Sequence, residues 1–536
     1  MSVQSASTTR RQHALELVLE WLPRLLAALS IGFILLFLYT ALKRMNYPFA
    51  FDQVEGGTVT SVWRIAHGQP LYVAPTQAFV PYLYAPLYFY IAAALSKLVG
   101  AGYASLRLVS ILGTLGSCAV IYALIHSETR SRLGAIAGAG LYAACYSALN
   151  GWFDYGRVDS LFIFLLLLAI YCTRRAPVLV AVLVWLIAFQ VKQTTLPIAV
   201  LIFCADWQRP RRMVIGLVAV LAGFAASVMG MNHLTGGWYS FYLFGTAKGL
   251  RWLLRPAMLY LPSDLLQPLG LALLILLACL LCVPLRFRSR ATQFYLIVSF
   301  AIYASIWYLR AHAGSSDNTL MPAYAWTAVL FGIALGRLIP WLARLESPQK
   351  TICMTLLLGA ACVQLFGLVY HPGRYDAGPS AIQARMKFEQ QLRSLPGDIY
   401  VVNHSYDAIL AGKQPHAVID AFGIILDSPP SAMRSAYVAN FQHAIDAHVY
   451  SGFVLDDTAE TYNPRDGWWM PADFLQQYPV RLLAEAASVS GPGNPPVEKW
   501  IYLPCSVLDQ DTSSFITPAS TVSYGSCTNV PGVGRR

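Results

Sequence analysis

Eleven apolar runs, near 22–42, 103–126, 133–149, 160–173, 177–190, 195–206, 213–231, 264–283, 291–309, 320–338 and 350–370, dominate the chain and limit what it can become. A bilayer span needs roughly 20 apolar residues, somewhat fewer where the helix is short or broken. Inside lipid every backbone polar group must be paired within the structure, so runs of this kind are helices. Short basic clusters separate them: Arg130/Arg132, Arg174/Arg175, Arg209/Arg211/Arg212, Arg286/Arg288/Arg290 and Arg344/Lys350. With the N-terminus inside, about eleven spans put each cluster on the cytoplasmic face and leave the C-terminal region outside. Only 12% of the residues are charged, against roughly 25% in soluble domains. The net charge of +11 therefore reflects anchoring at the membrane rather than a nucleic-acid partner. The first run is long enough to stay in the bilayer instead of being removed as a signal peptide.

Two segments test this count. The run Tyr84–Val99 is short and interrupted by Pro86 and Lys97. As a span it would turn the later basic clusters outward, so it reads as an interfacial or re-entrant helix. The stretch 177–206 breaks at K-Q-T-T-L-P (192–197) and reads as two short helices. Beyond residue 375 the composition becomes that of a soluble α/β domain. A helix is expected over Ser380–Leu395, with buried strands over Asp398–Val402 and His448–Leu455. The last thirty or so residues, rich in Ser, Thr and Gly, are expected to be irregular. The expected organisation is a cytoplasmic tail (1–21), a membrane domain (22–374) and an extracytoplasmic domain (375–536). Eight cysteines lie in or beside apolar runs and read as buried packing residues, whereas Cys505 and Cys527 are free to pair in an oxidising compartment.

On this topology the outer face collects nearly all the unusual polar residues. Asp52 and Glu55, in F-D-Q-V-E-G-G, follow the first span by about ten residues. Carboxylates so close to a bilayer are costly to keep dry and should face water, a metal or a substrate. One of them could serve as a general base, or the two could ligate a divalent cation. D-x-x-E also fits a helix N-terminus, with Asp52 as the N-cap. The loop N-G-W-F-D-Y-G-R-V-D (150–159) carries Arg157 between Asp154 and Asp159. Asp159 suits either an N-cap or a polar cavity. Lys192 sits in an apolar stretch and wants an anionic partner such as a phosphate, unless it snorkels to the interface. Lys248, Arg251 and Arg255, with Trp238, Tyr239 and Trp252, form either an interfacial belt or a basic–aromatic site. Arg310, His312 and Asn318 are the last outer group. Metalloprotease, serine-hydrolase and nucleotide-binding motifs are absent from the sequence.

Several short segments together resemble the membrane-embedded GT-C glycosyltransferases, in particular the family 39 type, which includes protein O-mannosyltransferases and the lipid A aminoarabinose transferase. They are Asp52 with Glu55 after the first span, H-G-Q-P-L-Y and P-Y-L-Y-A-P-L-Y-F-Y in the position of two juxtamembrane helices, R-V-D-S-L-F-I-F (157–164), K-Q-T-T-L-P, and D-N-T-L-M-P (317–322). The resemblance covers residues 22 to about 370. It implies inverting transfer of a sugar from a polyprenyl phosphate to a lipid, glycan or protein acceptor on the outer face of a bacterial inner membrane. It implies Asp52 as the catalytic base or a metal ligand, and Lys192 with an outer arginine, Arg251 or Arg255, as phosphate partners. Asp159, Arg157, His312 and Asn318 join the substrate-binding set. An adjacent Asp-Glu or Asp-x-Asp pair is missing after the first span, so Asp52 and Glu55 both stay open as the base, and so does a metal requirement. A transporter of lipid-linked sugars would string polar residues through the bilayer midplane between related halves, a pattern the sequence lacks. A glycan ligase or polymerase would also have large outer loops, and a membrane-anchored binding protein would tolerate loss of Asp52.

Overall fold

The computed structural model describes residues 2–246, 251–284, 289–376, 378–456, 473–484, 499–506, 522–523 and 527, without the side chains of 2–18, 380 and 381. Lys248, Arg286, Arg288 and most of the tail after Ser506 lie outside the described residues. Every apolar run is helical. Among the described residues seven helices are long and apolar enough to cross a membrane: Leu19–Met45 (the apolar part of α1, Ser2–Met45), Tyr103–Thr129 (α4), Pro210–Thr235 (α9), Leu254–Cys282, Arg290–Arg310, Asp317–Leu342 and Gln349–Phe366.

The other four expected spans are shorter. They are α5 (Arg132–Ala144, 13 residues), α6 (Asp159–Arg175, 17 residues), α7 (Val178–Phe189, 12 residues) and α8 (Thr195–Cys204, 10 residues). Ten to thirteen helical residues cover roughly 15–20 Å, well short of a hydrocarbon core of about 30 Å. The connecting segments 145–158 and 190–194 therefore reach into the bundle, and Tyr146, Phe153 and Asp154 on the first of them are fully buried. Irregular backbone at such depth is tolerated where protein covers it or a cavity adjoins it.

Small residues let the central helices meet closely. A Cβ on Gly134 of α5 would lie 2.5 Å from the Gly332 carbonyl oxygen, so only glycine permits this contact. Of the apolar-run cysteines, Cys118, Cys145, Cys172, Cys279 and Cys362 are buried as expected, but Cys204 and Cys282 are exposed. Both end their helices, where no neighbouring helix covers them.

The first loop forms two helices, α2 (Gln53–Ala66) and α3 (Leu87–Val99); H-G-Q-P-L-Y (67–72), expected to be helical, is instead the turn that follows α2, and P-Y-L-Y-A-P-L-Y-F-Y (81–90) enters α3 only from Leu87. After the helix Gly378–Ser394 comes a mixed sheet of β1 (Ile399–Val401), β2 (Gly452–Asp456), β3 (Val480–Leu483), β4 (Lys499–Leu503) and β5 (Val522–Ser523), in the order β1-β2-β4-β3-β5. Only β1 and β2 run parallel. The second strand starts later than expected, because His448 takes a positive φ in the preceding turn. Part of the tail expected to be irregular adds β5 to the sheet edge, and Cys527 is disulfide-bonded to Cys505.

This sheet region docks on the first loop. Ala417 N–H donates to the Gln77 carbonyl (2.9 Å), Tyr406 Oη to the Ala101 carbonyl (3.1 Å), and Thr60 Oγ1 meets Ser405 Oγ (2.8 Å). The start of α2 is thereby enclosed between the membrane helices and the C-terminal region, and Glu55–Val62 is buried.

Candidate active site

The turn from α1 into α2 is wrapped around one side chain. Arg107, near the start of α4, is fully buried. Its Nη1 donates to the carbonyls of Arg44 (3.2 Å) and Tyr47 (2.5 Å), and its Nη2 to that of Phe49 (2.5 Å). Nε and Nη2 also bind the two Glu55 carboxylate oxygens, both at 2.9 Å. Glu55 accepts two further bonds, from the backbone N–H groups of Phe51 (2.5 Å) and Gly156 (2.7 Å). Four donors saturate this carboxylate, which has no exposed surface. Glu55 thus joins the first loop, α2, α4 and the 150–158 loop, and it offers no lone pair to a substrate. The sequence signal for its partner was an arginine five residues into an apolar helix, a charge that must be paired inside the protein.

Asp52 is placed differently. It caps α2, its Oδ1 accepting from Glu55 N–H at 2.8 Å, so the capping arrangement is present. Its Oδ2 accepts from Arg157 Nη1 at 2.6 Å. The Arg157 guanidinium lies 4.6 Å from the Trp152 ring centre, donates to Tyr84 Oη (3.4 Å) and approaches Asp159 Oδ2 at 3.5 Å. Asp159 in turn accepts from Lys192 Nζ (2.8 Å) and Asn318 Nδ2 (3.1 Å). Five residues singled out from four segments, Asp52, Arg157, Asp159, Lys192 and Asn318, therefore form one largely buried network in which two carboxylates balance two cations. Asp159 is not an N-cap; it occupies the first turn of α6 and turns its carboxylate into the network. Asp154 belongs elsewhere, paired at 3.5 Å with buried Arg44 and accepting from Tyr146 Oη at 3.1 Å.

Asp52 also opens onto a cleft of about 330 Å³ lined by Asn150, Trp152, Tyr155, Arg310, Ser315, Ser316 and Asp317. Arg310 reaches it from the end of its helix, held by Asp264 (2.9 and 3.2 Å) and by Asp317 Oδ1 (3.3 Å). Asn150 Nδ2 donates to Asp317 Oδ2 at 2.7 Å and closes the wall. Burial, reinforced by the negative charge of Glu55 and opposed by Arg157, holds the Asp52 carboxyl above the ordinary aspartate range.

Three other singled-out residues stand apart. Arg251 and Arg255 are exposed and do not line the cleft. The 251–253 segment pairs through Trp252 with His312, and the Arg251 charge acts on Asp427 instead. His312 is half-buried, its Nδ1 2.7 Å from the Tyr308 carbonyl and its ring against Tyr308. The arginine on the cleft wall is Arg310, which the sequence placed beside His312 without marking it as a phosphate partner.

A divalent cation shared by Asp52 and Glu55 would need free oxygens on both carboxylates, and the pair does not fit one. Glu55, saturated by four N–H donors, cannot share a cation with Asp52, and among the described residues no three His, Cys, Asp or Glu side chains converge on a metal-sized site.

No family model and no curated protein sequence matches the chain. Among solved structures it is similar to ArnT from Cupriavidus metallidurans bound to undecaprenyl phosphate, with a TM-score of 0.58 at 13% identity, over 88% of this chain and 97% of that one. The apo state of the same protein gives a TM-score of 0.56 at 14% identity, over 88% and 98% of the two chains. The likeness extends through the membrane helices and into the C-terminal region. The chain is an integral membrane protein with the ArnT fold, and the resemblance to the GT-C glycosyltransferases holds at the level of the fold.

Proposed function

We propose that the protein is a membrane glycosyltransferase that moves a sugar from a polyprenyl phosphate to an acceptor hydroxyl or amine, with inversion. The observation that carries this reading is Asp52: a carboxylate of raised basicity that opens onto a cleft within the ArnT fold. The acceptor proton passes to Asp52 as the acceptor oxygen or nitrogen bonds to the anomeric carbon. The bond from that carbon to the phosphate oxygen breaks, and polyprenyl phosphate leaves with the bonding electrons. Arg310, on the cleft wall, stabilises the charge that develops on the departing phosphate. Lys192 and Asn318 hold Asp159, which backs Arg157 against Asp52. No step needs a metal.

The undecaprenyl phosphate of the ArnT structure supports a polyprenyl carrier. The cleft volume is near the low end of small-molecule sites, roughly 300–1,000 Å³. That favours one sugar with its phosphate over the whole glycans of a ligase or polymerase. Residues 22–374 are assigned the transfer chemistry and 375–536 the handling of the acceptor. The cleft and the C-terminal region are assigned to the periplasmic side of a bacterial inner membrane, with the N-terminus cytoplasmic. The basic clusters on the opposite ends of the helices support this, as does the Cys505–Cys527 bond, which suits an oxidising compartment.

The test is release of polyprenyl phosphate by the purified protein in lipid nanodiscs, from a panel of polyprenyl-phosphate sugars with crude membrane acceptors. Acceptor-dependent release from at least one donor is expected. Arg310→Met should lower kcat by about 10²-fold, the scale for losing one preorganised charge-stabilising group. Folded protein that releases nothing from any donor would refute the transferase reading.

A further inference from the structure

A base at Asp52 needs an acceptor held beside it, and three buried polar groups next to α2 lack partners. His404, just after β1, places its Nδ1 3.2 Å from the Cβ position of Gly56, one turn into α2. Its Nε2 is fixed by Asp456 Oδ2 at 2.9 Å, and Lys499 binds the same carboxylate. The Nδ1 is buried with no partner among the described residues. Asp420, at the start of the helix Ile419–Asp427, has a buried Oδ2 that is equally unpartnered. The hydroxyl of Tyr82, whose ring lies against Gly57, is the third. Asp420 is close enough to feel the charges of Asp52, Arg157 and His404, and Tyr82 those of Asp420, Asp52 and Arg157. The three groups come from different elements: His404 and Tyr82 flank adjacent glycines of the helix that Asp52 caps, and Asp420 lies within electrostatic reach of His404, Tyr82 and Asp52. Buried polar atoms are nearly always paired, and the exceptions ask for an explanation such as a missing ligand.

We propose that Asp420 and His404 of the C-terminal region, together with Tyr82, form the acceptor subsite, which takes hydroxyl or ammonium groups and directs one of them to Asp52. This rests on the transferase reading. The chemistry of the three groups sets the class of acceptor. Asp456 Oδ2 accepts from His404 Nε2, which leaves Nδ1 to meet an acceptor group. Asp420 accepts when ionised, and Tyr82 can donate or accept. This set of groups favours a sugar-like polyol or amine and disfavours a phosphate or carboxylate at this position.

The assignment carries a pH dependence. Burial and the negative charge of Asp52 push the Asp420 carboxyl up to about 6, with Arg157 and His404 opposing. The groups facing it are thus Asp52, Arg157, His404 and Tyr82. Affinity for an ammonium-bearing probe is full above that value and declines as the pH falls through it.

The experiment uses the full chain in nanodiscs and saturation-transfer NMR with glucosamine, which carries both hydroxyls and an ammonium. Saturable binding by the unmodified protein is expected, with Asp420→Asn and Tyr82→Phe each weakening it about tenfold or more, the effect of losing one buried hydrogen-bond partner. Lowering the pH from about 7.5 to about 5 should weaken binding to the unmodified protein and leave Asp420→Asn with a smaller dependence. In the transfer assay the same variants should raise the acceptor KM more than they lower kcat. Thermal unfolding checks that Asp420→Asn folds, and Tyr82→Phe, which removes a single oxygen, carries the test if it does not. Equal glucosamine binding by all three proteins, or no saturable binding by the unmodified one, would overturn the subsite. Glucosamine binding lost in the variants, with no polyprenyl phosphate released from any donor, would keep the subsite and refute the transferase.

Discussion

Asp52→Asn should reduce sugar transfer by about 10²–10⁴-fold, the usual contribution of a positioned general base, while the protein stays folded. Asparagine keeps the shape and one carbonyl oxygen, so the cap on Glu55 N–H at 2.8 Å survives. What disappears is the lone-pair site of a carboxylate on the cleft wall and the charge facing Arg157. Arg157 retains Asp159 at 3.5 Å, so the network loses balance without leaving a bare cation. The pH profile separates loss of the base from a general weakening of the site. The base must be ionised, and burial together with Glu55 holds the Asp52 pKa above its usual value. kcat/KM should therefore decline as the pH drops through that raised pKa, at a higher pH than an ordinary aspartate near 3.9 would give. The residual activity of Asp52→Asn should lack that limb. Activity within about fivefold of the unmodified protein, far below the usual effect of a base, would remove Asp52 from the chemistry.

The sequence made legible what depends on local composition. Apolar runs became helices, and the first-loop acids, the 150–159 loop and the K-Q-T-T-L-P break were each visible as polar residues out of place. Their assembly into one network was not, because Asp52, Arg157, Lys192 and Asn318 approach only when four separate segments pack together. Two assignments changed for the same reason. Arg251 and Arg255 looked like phosphate partners because a basic–aromatic cluster reads well along the chain, yet the segment pairs with His312 and the cleft wall is taken by Arg310. The two short helices expected over 177–206 are present as α7 and α8, whereas α5 stops five residues before its apolar run does because the chain turns inward at Cys145. Asp420 and His404 carry no local signal at all; their relevance comes from the docking of the C-terminal region on α2.

Glu55→Gln is the complementary case, and its expected outcome is loss of stability. Four N–H donors converge on the two carboxylate oxygens, so an amide in either orientation turns its own NH₂ toward donors and strands at least one of them. It also leaves Arg107, fully buried, with only carbonyl oxygens to balance its charge. Removing one member of a buried ion pair typically costs about 3–5 kcal/mol. Arg107→Met should cost at least as much, because three backbone carbonyls of the turn lose their donor together with Glu55. The two losses should not add: once the arginine is gone, neutralising Glu55 removes a stranded buried charge, so the double variant should be more stable than the sum of the singles implies. Thermal unfolding of the two singles and the double in nanodiscs measures this directly. Glu55 was one of two candidates for the base, and stability distinguishes the roles. A Glu55→Gln protein that unfolds at the normal temperature but transfers no sugar would make Glu55 the base. One that melts early, with activity recovering at low temperature in proportion to the folded fraction, would establish it as the residue that positions the Asp52 turn.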